Sequence, residues 1–95
     1  MQSRHWAVKH LRIHGRVQGV GYRWSLARQA QILGVTGWVR NRSDGTVETV
    51  IAGTPTQLAE LVEWAHQGPS AAQVRRIEIE DGEGEFLTFE QWPTM

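Results

Sequence analysis

The spacing of apolar residues changes between two periods along this 95-residue chain, and the order of those changes limits the folds that it can adopt. Residues 22–33 and a segment that begins at Thr54 repeat their apolar residues at the spacing of an amphipathic helix. Five other segments have the alternation or composition of strands: residues 7–14, 35–41, 46–53, 74–80 and 85–92. The sequence therefore predicts the order βαββαβ, followed by one further strand.

Signals at the helix ends support this division. Gly34 follows the first helical segment, at a position where a residue with positive φ ends many helices. Thr54 and Gln57 form the T-x-x-Q pattern of a capping box, and Pro55 stands at the first helical position, where its missing N–H is harmless. The second helix is predicted to end before Gly68.

This order predicts an α+β sandwich in which two helices cover one face of an antiparallel sheet, with an extra C-terminal strand. The crossover through the first helix makes the first and second strands run in the same direction. The loop after the first strand and the end of the second strand then reach the same edge of the sheet. Arg23 and Asn41 are therefore predicted to be neighbours, although they are 18 positions apart in the sequence.

Length and composition exclude several classes of protein. A chain of 95 residues can bury one hydrophobic core, so residues 1–95 are predicted to form a single domain. No run of about 18 apolar residues could span a membrane, and the opening residues lack the apolar segment of a secretion signal. We therefore predict a cytoplasmic location and no membrane partner. With no cysteine, the chain has no disulfide, thiolate nucleophile or zinc–thiolate site.

The charges are unevenly distributed although the formal net charge is zero. Residues 1–45 contain eight basic residues and one acidic residue, whereas residues 46–95 contain two basic and nine acidic residues. A basic, nearly acid-free first half favours an anionic ligand there. The alternative is that these arginines are solvated surface charges that face the acidic half.

The stretch GRVQGVGYRW, residues 15–24, lies in this basic half and contains three glycines. Glycines allow positive φ, so successive N–H groups can turn inward as an anion-binding nest, and the following helix adds its free N–H groups and positive dipole end. The alternative is a tight strand-to-helix turn that needs glycine only for its shape. The spacing G-x-x-x-G-x-G matches neither the Walker A loop nor the dinucleotide fingerprint.

The motifs GRVQGVGYR and GWVRN, with the later GTVE, AG and GP steps, resemble those of the acylphosphatase family over nearly the whole chain. The resemblance implies a ferredoxin-like fold and hydrolysis of the carboxyl-phosphate bond of acyl phosphates to a carboxylate and inorganic phosphate. It implies that Arg23 binds the phosphate and that Asn41 positions the attacking water. The phosphate cradle would be the loop formed by Arg16, Val17, Gln18, Gly19, Val20 and Gly21. Tyr22 departs from the usual phenylalanine, and the ending FEQW departs from a more apolar and basic one.

The residues also limit the mechanism. No carboxylate precedes Asp44, so nothing near the loop could form an aspartyl-phosphate or an oxygen cage for magnesium. A direct attack by water, without metal or cofactor, is then the predicted chemistry, because a carboxylate leaves an acyl phosphate without a general acid. The predicted partners are a small acyl phosphate and inorganic phosphate, and the predicted oligomeric state is a monomer.

A function of another class stays open at this stage. Ferredoxin-like sheets can bind RNA, so a nucleic-acid or regulatory binding module is the alternative. The aromatic signature of an RNA-binding sheet is missing, however, and no nucleic-acid partner is predicted.

His10 and His14 share one strand face but lack a third ligand, so we interpret them as surface residues rather than a metal site. We interpret as packing residues the five tryptophans, Trp6, Trp24, Trp38, Trp64 and Trp92.

Overall fold

The computed structural model describes residues 6–95, and its elements follow the predicted order. Residues 1–5 lie outside this range; they include part of the opening segment interpreted above and Arg4, one of the eight basic residues of the first half. The elements are β1 (Ala7–Arg16), α1 (Tyr22–Leu33), β2 (Thr36–Asn41), β3 (Val47–Gly53), α2 (Pro55–Gln67), β4 (Gln73–Asp81) and β5 (Phe89–Gln91).

The five strands form one sheet in the order β4-β1-β3-β2-β5. β3 pairs antiparallel with both β1 and β2, so β1 and β2 run in the same direction, as predicted. Both helices pack on one face of this sheet, and the ferredoxin-like arrangement is confirmed. The buried core between the layers includes Leu11 and Ile13 of β1, Leu26 of α1, and Leu58 and Leu61 of α2.

Two details of the sheet differ from the predictions. β5 pairs parallel to β2, so the sheet is mixed rather than wholly antiparallel. The reason is the path of the chain: β4 ends beside the start of β1, and residues 82–88 cross along that end of the sheet to the start of β2. β5 is also shorter than predicted, since only Phe89–Gln91 pair, and residues 85–88 lie in the crossing segment.

The predicted helix ends are confirmed. Gly34 has φ 80° and its N–H donates back to the last turn of α1. At the start of α2, the Gln57 N–H donates to Thr54 Oγ1 at 3.2 Å, and the Thr54 N–H donates to Gln57 Oε1 at 2.9 Å. This reciprocal pair is the capping box that the sequence indicates.

The sheet face opposite the helices carries a network of charges centred on Glu48 of β3. The Glu48 carboxylate is buried and accepts hydrogen bonds from His10 at 2.6 Å, Arg40 at 2.9 Å and Arg42 at 3.1 Å. His14 of β1 pairs with Glu78 at 2.9 Å. Both histidines therefore lie on the surface of the sheet and contact carboxylates.

Burial would raise the pKa of Glu48, but hydrogen bonds from His10 and Arg40 and the charges of Arg40 and Arg42 outweigh burial and lower that pKa to about 2. A group whose pKa is lowered by folding stabilises the folded state above its unfolded pKa of 4.5. That stabilisation is lost as the pH falls from about 4.5 towards 2.

We expect Glu48→Gln to lower the free energy of unfolding at pH 7 by about 2–3 kcal/mol, because three donors lose an ionised partner in a buried position. Chemical denaturation between pH 2 and 7 measures this, and the variant and the parent chain should converge near pH 2. Glu78→Gln is the control: its carboxylate is 58 % exposed, so its effect should be smaller. A Glu48→Gln curve that overlays the parent curve from pH 7 to 4 would contradict this reading of the network.

Candidate active site

A cleft of about 410 Å³ lies at the edge of the sheet where β1 and β2 both end, one on each side of β3. The structure thus places Arg23 and Asn41 on the same cleft. Three loop residues of the predicted cradle, Val17, Gly19 and Gly21, also line it. The lining is completed by three residues that the sequence did not assign to a site, namely Tyr22, Trp24 and Gln91.

The loop between β1 and α1 offers unpaired backbone donors. Gly19 and Gly21 have φ 75° and 79°, and an added Cβ would meet nothing within 4 Å, so the backbone conformation rather than space favours glycine at both positions. Within residues 6–95, no backbone carbonyl accepts the N–H groups of residues 18–21. α1 begins after Gly21 with no side-chain cap and no acidic residue in its first turn. This arrangement suits an anion.

Three other residues of the predicted cradle do not line the cleft with their side chains. Arg16 is exposed at the end of β1, and Val20 packs against the core. Gln18 donates from Nε2 to the carbonyl oxygens of Arg42 at 2.7 Å and Thr46 at 2.8 Å. Gln18 therefore ties the loop to the β2–β3 connection, close to Asn41.

Arg23 is half-buried, and its guanidinium has no acidic partner among the described residues. Its Nη1 donates to the backbone carbonyl of Trp92 at 3.2 Å. That bond occupies one donor of five and leaves the charge uncompensated. Four other arginines, by contrast, pair with carboxylates: Arg12, Arg40, Arg42 and Arg76. Arg23 is thus suited to bind an anion in the cleft.

Asn41 is the last residue of β2. Its backbone carbonyl accepts the Met95 N–H at 3.1 Å, which holds the residue in place. Its side-chain Oδ1 is buried and accepts no hydrogen bond from any residue in the described part of the chain. An unpaired buried acceptor is unfavourable by about 1–3 kcal/mol, so Asn41 Oδ1 is available to accept a hydrogen bond from a water or ligand in the cleft.

Tyr22, where the resemblance predicts phenylalanine, is the first residue of α1. Its buried hydroxyl donates to the Ala65 carbonyl at 2.8 Å, and its ring centroid lies 5.8 Å from that of Trp64. Burial raises the pKa of this hydroxyl, so it stays a neutral donor. The hydroxyl satisfies one of the free carbonyls in the last turn of α2.

The interpretation of the tryptophans as packing residues is wrong for two of the five. Trp38 and Trp92 stack with ring centroids 4.3 Å apart, and Trp64 packs against the core. Trp6 and Trp24 are instead 57 % and 58 % exposed. The sequence contains a signal for the exposure of Trp24, because its position lies off the apolar stripe of α1, whose buried residues include Tyr22, Leu26 and Ala30.

A larger groove of about 1010 Å³ runs between α2 and the β1–β4 side of the sheet. None of the predicted site residues lines it. The smaller cleft, by contrast, is lined by Arg23, Asn41 and part of the glycine loop. Residues 6–95 contain no group of three or more histidine, aspartate or glutamate side chains placed to hold a metal ion.

Two helices on one face of a five-stranded sheet define a small α+β protein, and the glycine loop beside Arg23 is an arrangement suited to an anion. Neither helix within residues 6–95 has the length and apolar character that a membrane crossing requires.

Comparisons with known proteins identify the family. The Acylphosphatase family model matches residues 9–90. An acylphosphatase of Thermococcus kodakarensis is 60 % identical over 78 residues, which cover 82 % of this chain and 86 % of that protein. An acylphosphatase of Cupriavidus pinatubonensis is 54 % identical over 86 residues, which cover 90 % and 96 %. The solved structure of an acylphosphatase from Coxiella burnetii has a TM-score of 0.89 at 34 % identity and covers 93 % of this chain and 94 % of that one.

The chain belongs to the acylphosphatase family, as its motifs predict. It is an enzyme that hydrolyses acyl phosphates, and the alternative of a binding module without catalysis is not favoured.

Proposed function

We propose that the loop and Arg23 hold the phosphate of an acyl phosphate while Asn41 positions the water that attacks it. One observation carries this proposal: the unpaired loop, the uncompensated guanidinium and the Asn41 side chain line the same cleft.

The phosphate binds through two kinds of donor. Backbone N–H groups of residues 18–21 and of the first turn of α1 bind its oxygens, helped by the positive end of the helix dipole. The planar guanidinium of Arg23 donates to two further oxygens in a bidentate pair. Gln18 and the Trp92 carbonyl hold these donors in position, because one ties down the loop and the other fixes the guanidinium.

The reaction is a single displacement at phosphorus. The water oxygen forms a bond to phosphorus as the bond from phosphorus to the carboxyl oxygen breaks. The carboxylate leaves with that electron pair, and both protons of the water stay on the inorganic phosphate. The Asn41 amide has a carbonyl that orients the water and an N–H that donates to the phosphate. Placement and charge stabilisation supply the catalysis.

The side chains that line the cleft include no negatively charged ligand for a metal ion. The eight residues that line it include no carboxylate and no imidazole. We propose that no metal takes part and that inorganic phosphate binds in the same cradle as the substrate. The monomeric state, the cytoplasmic location and the absence of a nucleic-acid partner stay predictions from the sequence.

Replacing Arg23 and replacing Asn41 should give different kinetic defects. Arg23→Ala, and also Arg23→Lys, should weaken inhibition by inorganic phosphate and reduce kcat, because the bidentate contact acts in both ground and transition states. Asn41→Ala should leave phosphate affinity within about threefold and lower kcat on the order of a hundredfold or more, as expected for the loss of one positioned polar group. Steady-state hydrolysis of acetyl phosphate, with inorganic phosphate as inhibitor, measures both.

Arg75→Ala is the control for loss of a positive charge, because Arg75 is exposed on β4 and does not line the cleft. It should behave as the parent chain does. Near-normal turnover in Asn41→Ala, or a loss of phosphate affinity as large as in Arg23→Ala, would refute the assignment of Asn41 to the water.

Turnover should be independent of divalent metal, because no carboxylate lines the cleft to bind one. Hydrolysis of acetyl phosphate is measured after dialysis against EDTA, and again with added magnesium, and the rates should agree within about 20 %. Loss of activity in the chelator with full recovery in magnesium would rule out the metal-free displacement.

A further inference from the structure

Trp24 is a large apolar side chain that the phosphate chemistry leaves without a role. It is the third residue of α1, it is 58 % exposed, and it lines the cleft next to Arg23. Small-molecule sites are lined mainly by aromatic and other apolar side chains with a few polar donors, and Trp24 beside Arg23 and the loop fits that composition. Trp24 is therefore placed to contact the part of the substrate that the phosphate cradle does not hold.

The cleft has room for that part. Its volume is about 410 Å³, within the usual range for small-molecule sites, whereas a water molecule takes up about 30 Å³. A phosphate group and its attacking water fill only a fraction of this space. The remainder, between the helix side that carries Trp24 and the strand side that carries Gln91, has room for the acyl group, which is joined to the phosphate through one oxygen.

The indole of Trp24 has a neighbouring side chain that partly restrains it. The guanidinium carbon of Arg28, one helical turn further on, lies 5.4 Å from the ring centroid. This is a cation–π distance, and it restricts the rotation of an otherwise exposed side chain. A partly restrained ring loses less conformational freedom than a free one when a ligand stacks on it.

We propose that Trp24 is the platform for the acyl group and makes this enzyme prefer acyl phosphates with a flat aromatic acyl group over small aliphatic ones. The proposal rests on the phosphate site described above, because only a phosphate held by Arg23 and the loop places the acyl group beside the indole. Stacking is selective for flat rings, since aromatic pairs gain from offset and edge-to-face contact and a methyl group does not.

The test compares benzoyl phosphate with acetyl phosphate in the parent chain and in three tryptophan variants. Trp24→Ala should lower kcat/KM for benzoyl phosphate about tenfold and change that for acetyl phosphate less than twofold. Trp24→Phe should retain most of the benzoyl preference, because a stacking surface is restored. Inhibition by inorganic phosphate should stay unchanged in both, since the cradle is intact.

Trp6→Ala is the matched control. Trp6 is equally exposed, at 57 %, but it precedes β1 at the end of the sheet away from the loop. This variant should hydrolyse both substrates as the parent chain does. A thermal melt of each variant confirms that it is folded at the assay temperature.

Two results would contradict the proposed stacking role of Trp24. One is a benzoyl-to-acetyl ratio of kcat/KM that is unchanged in Trp24→Ala. The other is an equal loss of activity on both substrates, which would indicate a structural role. Arg23→Ala tests the underlying site separately. It should lose activity on both substrates, and if it kept both, the proposed phosphate site would fail whatever the Trp24 variants showed.

Discussion

The position of β3 between β1 and β2 is the constraint on which the site depends. Because β3 pairs antiparallel with both, β1 and β2 run in the same direction and end at the same edge of the sheet. One strand delivers the glycine loop to that edge, and the other delivers Asn41. The buried core holds this pairing, since Leu11 and Ile13 of β1 face the two helices through the hydrophobic layer.

The segment that follows β4 contacts both this edge and the open face of the sheet, which is the face opposite the helices. β5 adds to β2 in parallel, and beyond it the Trp92 ring stacks on Trp38 while the Trp92 carbonyl accepts a hydrogen bond from Arg23. Arg40 lies over both rings and pairs with Glu48. Trp92 therefore contacts both the charged network of the open face, through Arg40, and the guanidinium of Arg23 in the cleft.

The sequence predicts most of the fold because its signals are local. The capping box at Thr54, the glycine at position 34 and the apolar periods act over a few residues, and all appear in the structure. The parallel direction of β5 could not be predicted, since it depends on how residues 82–88 cross the sheet. The role of Gln18 likewise depends on carbonyls more than 20 positions away. Arg23 and Asn41 could be placed together because a crossover rule, rather than a local signal, connects them.

The central claim is that the glycine loop binds the phosphate, and an NMR titration with inorganic phosphate tests it most directly. Backbone amide shifts should move most for residues 18–21 and for the first turn of α1, and Arg23→Ala should weaken the apparent affinity without moving the site. Saturable shifts confined to the open sheet face around Glu48, with the loop amides unchanged, would contradict the account.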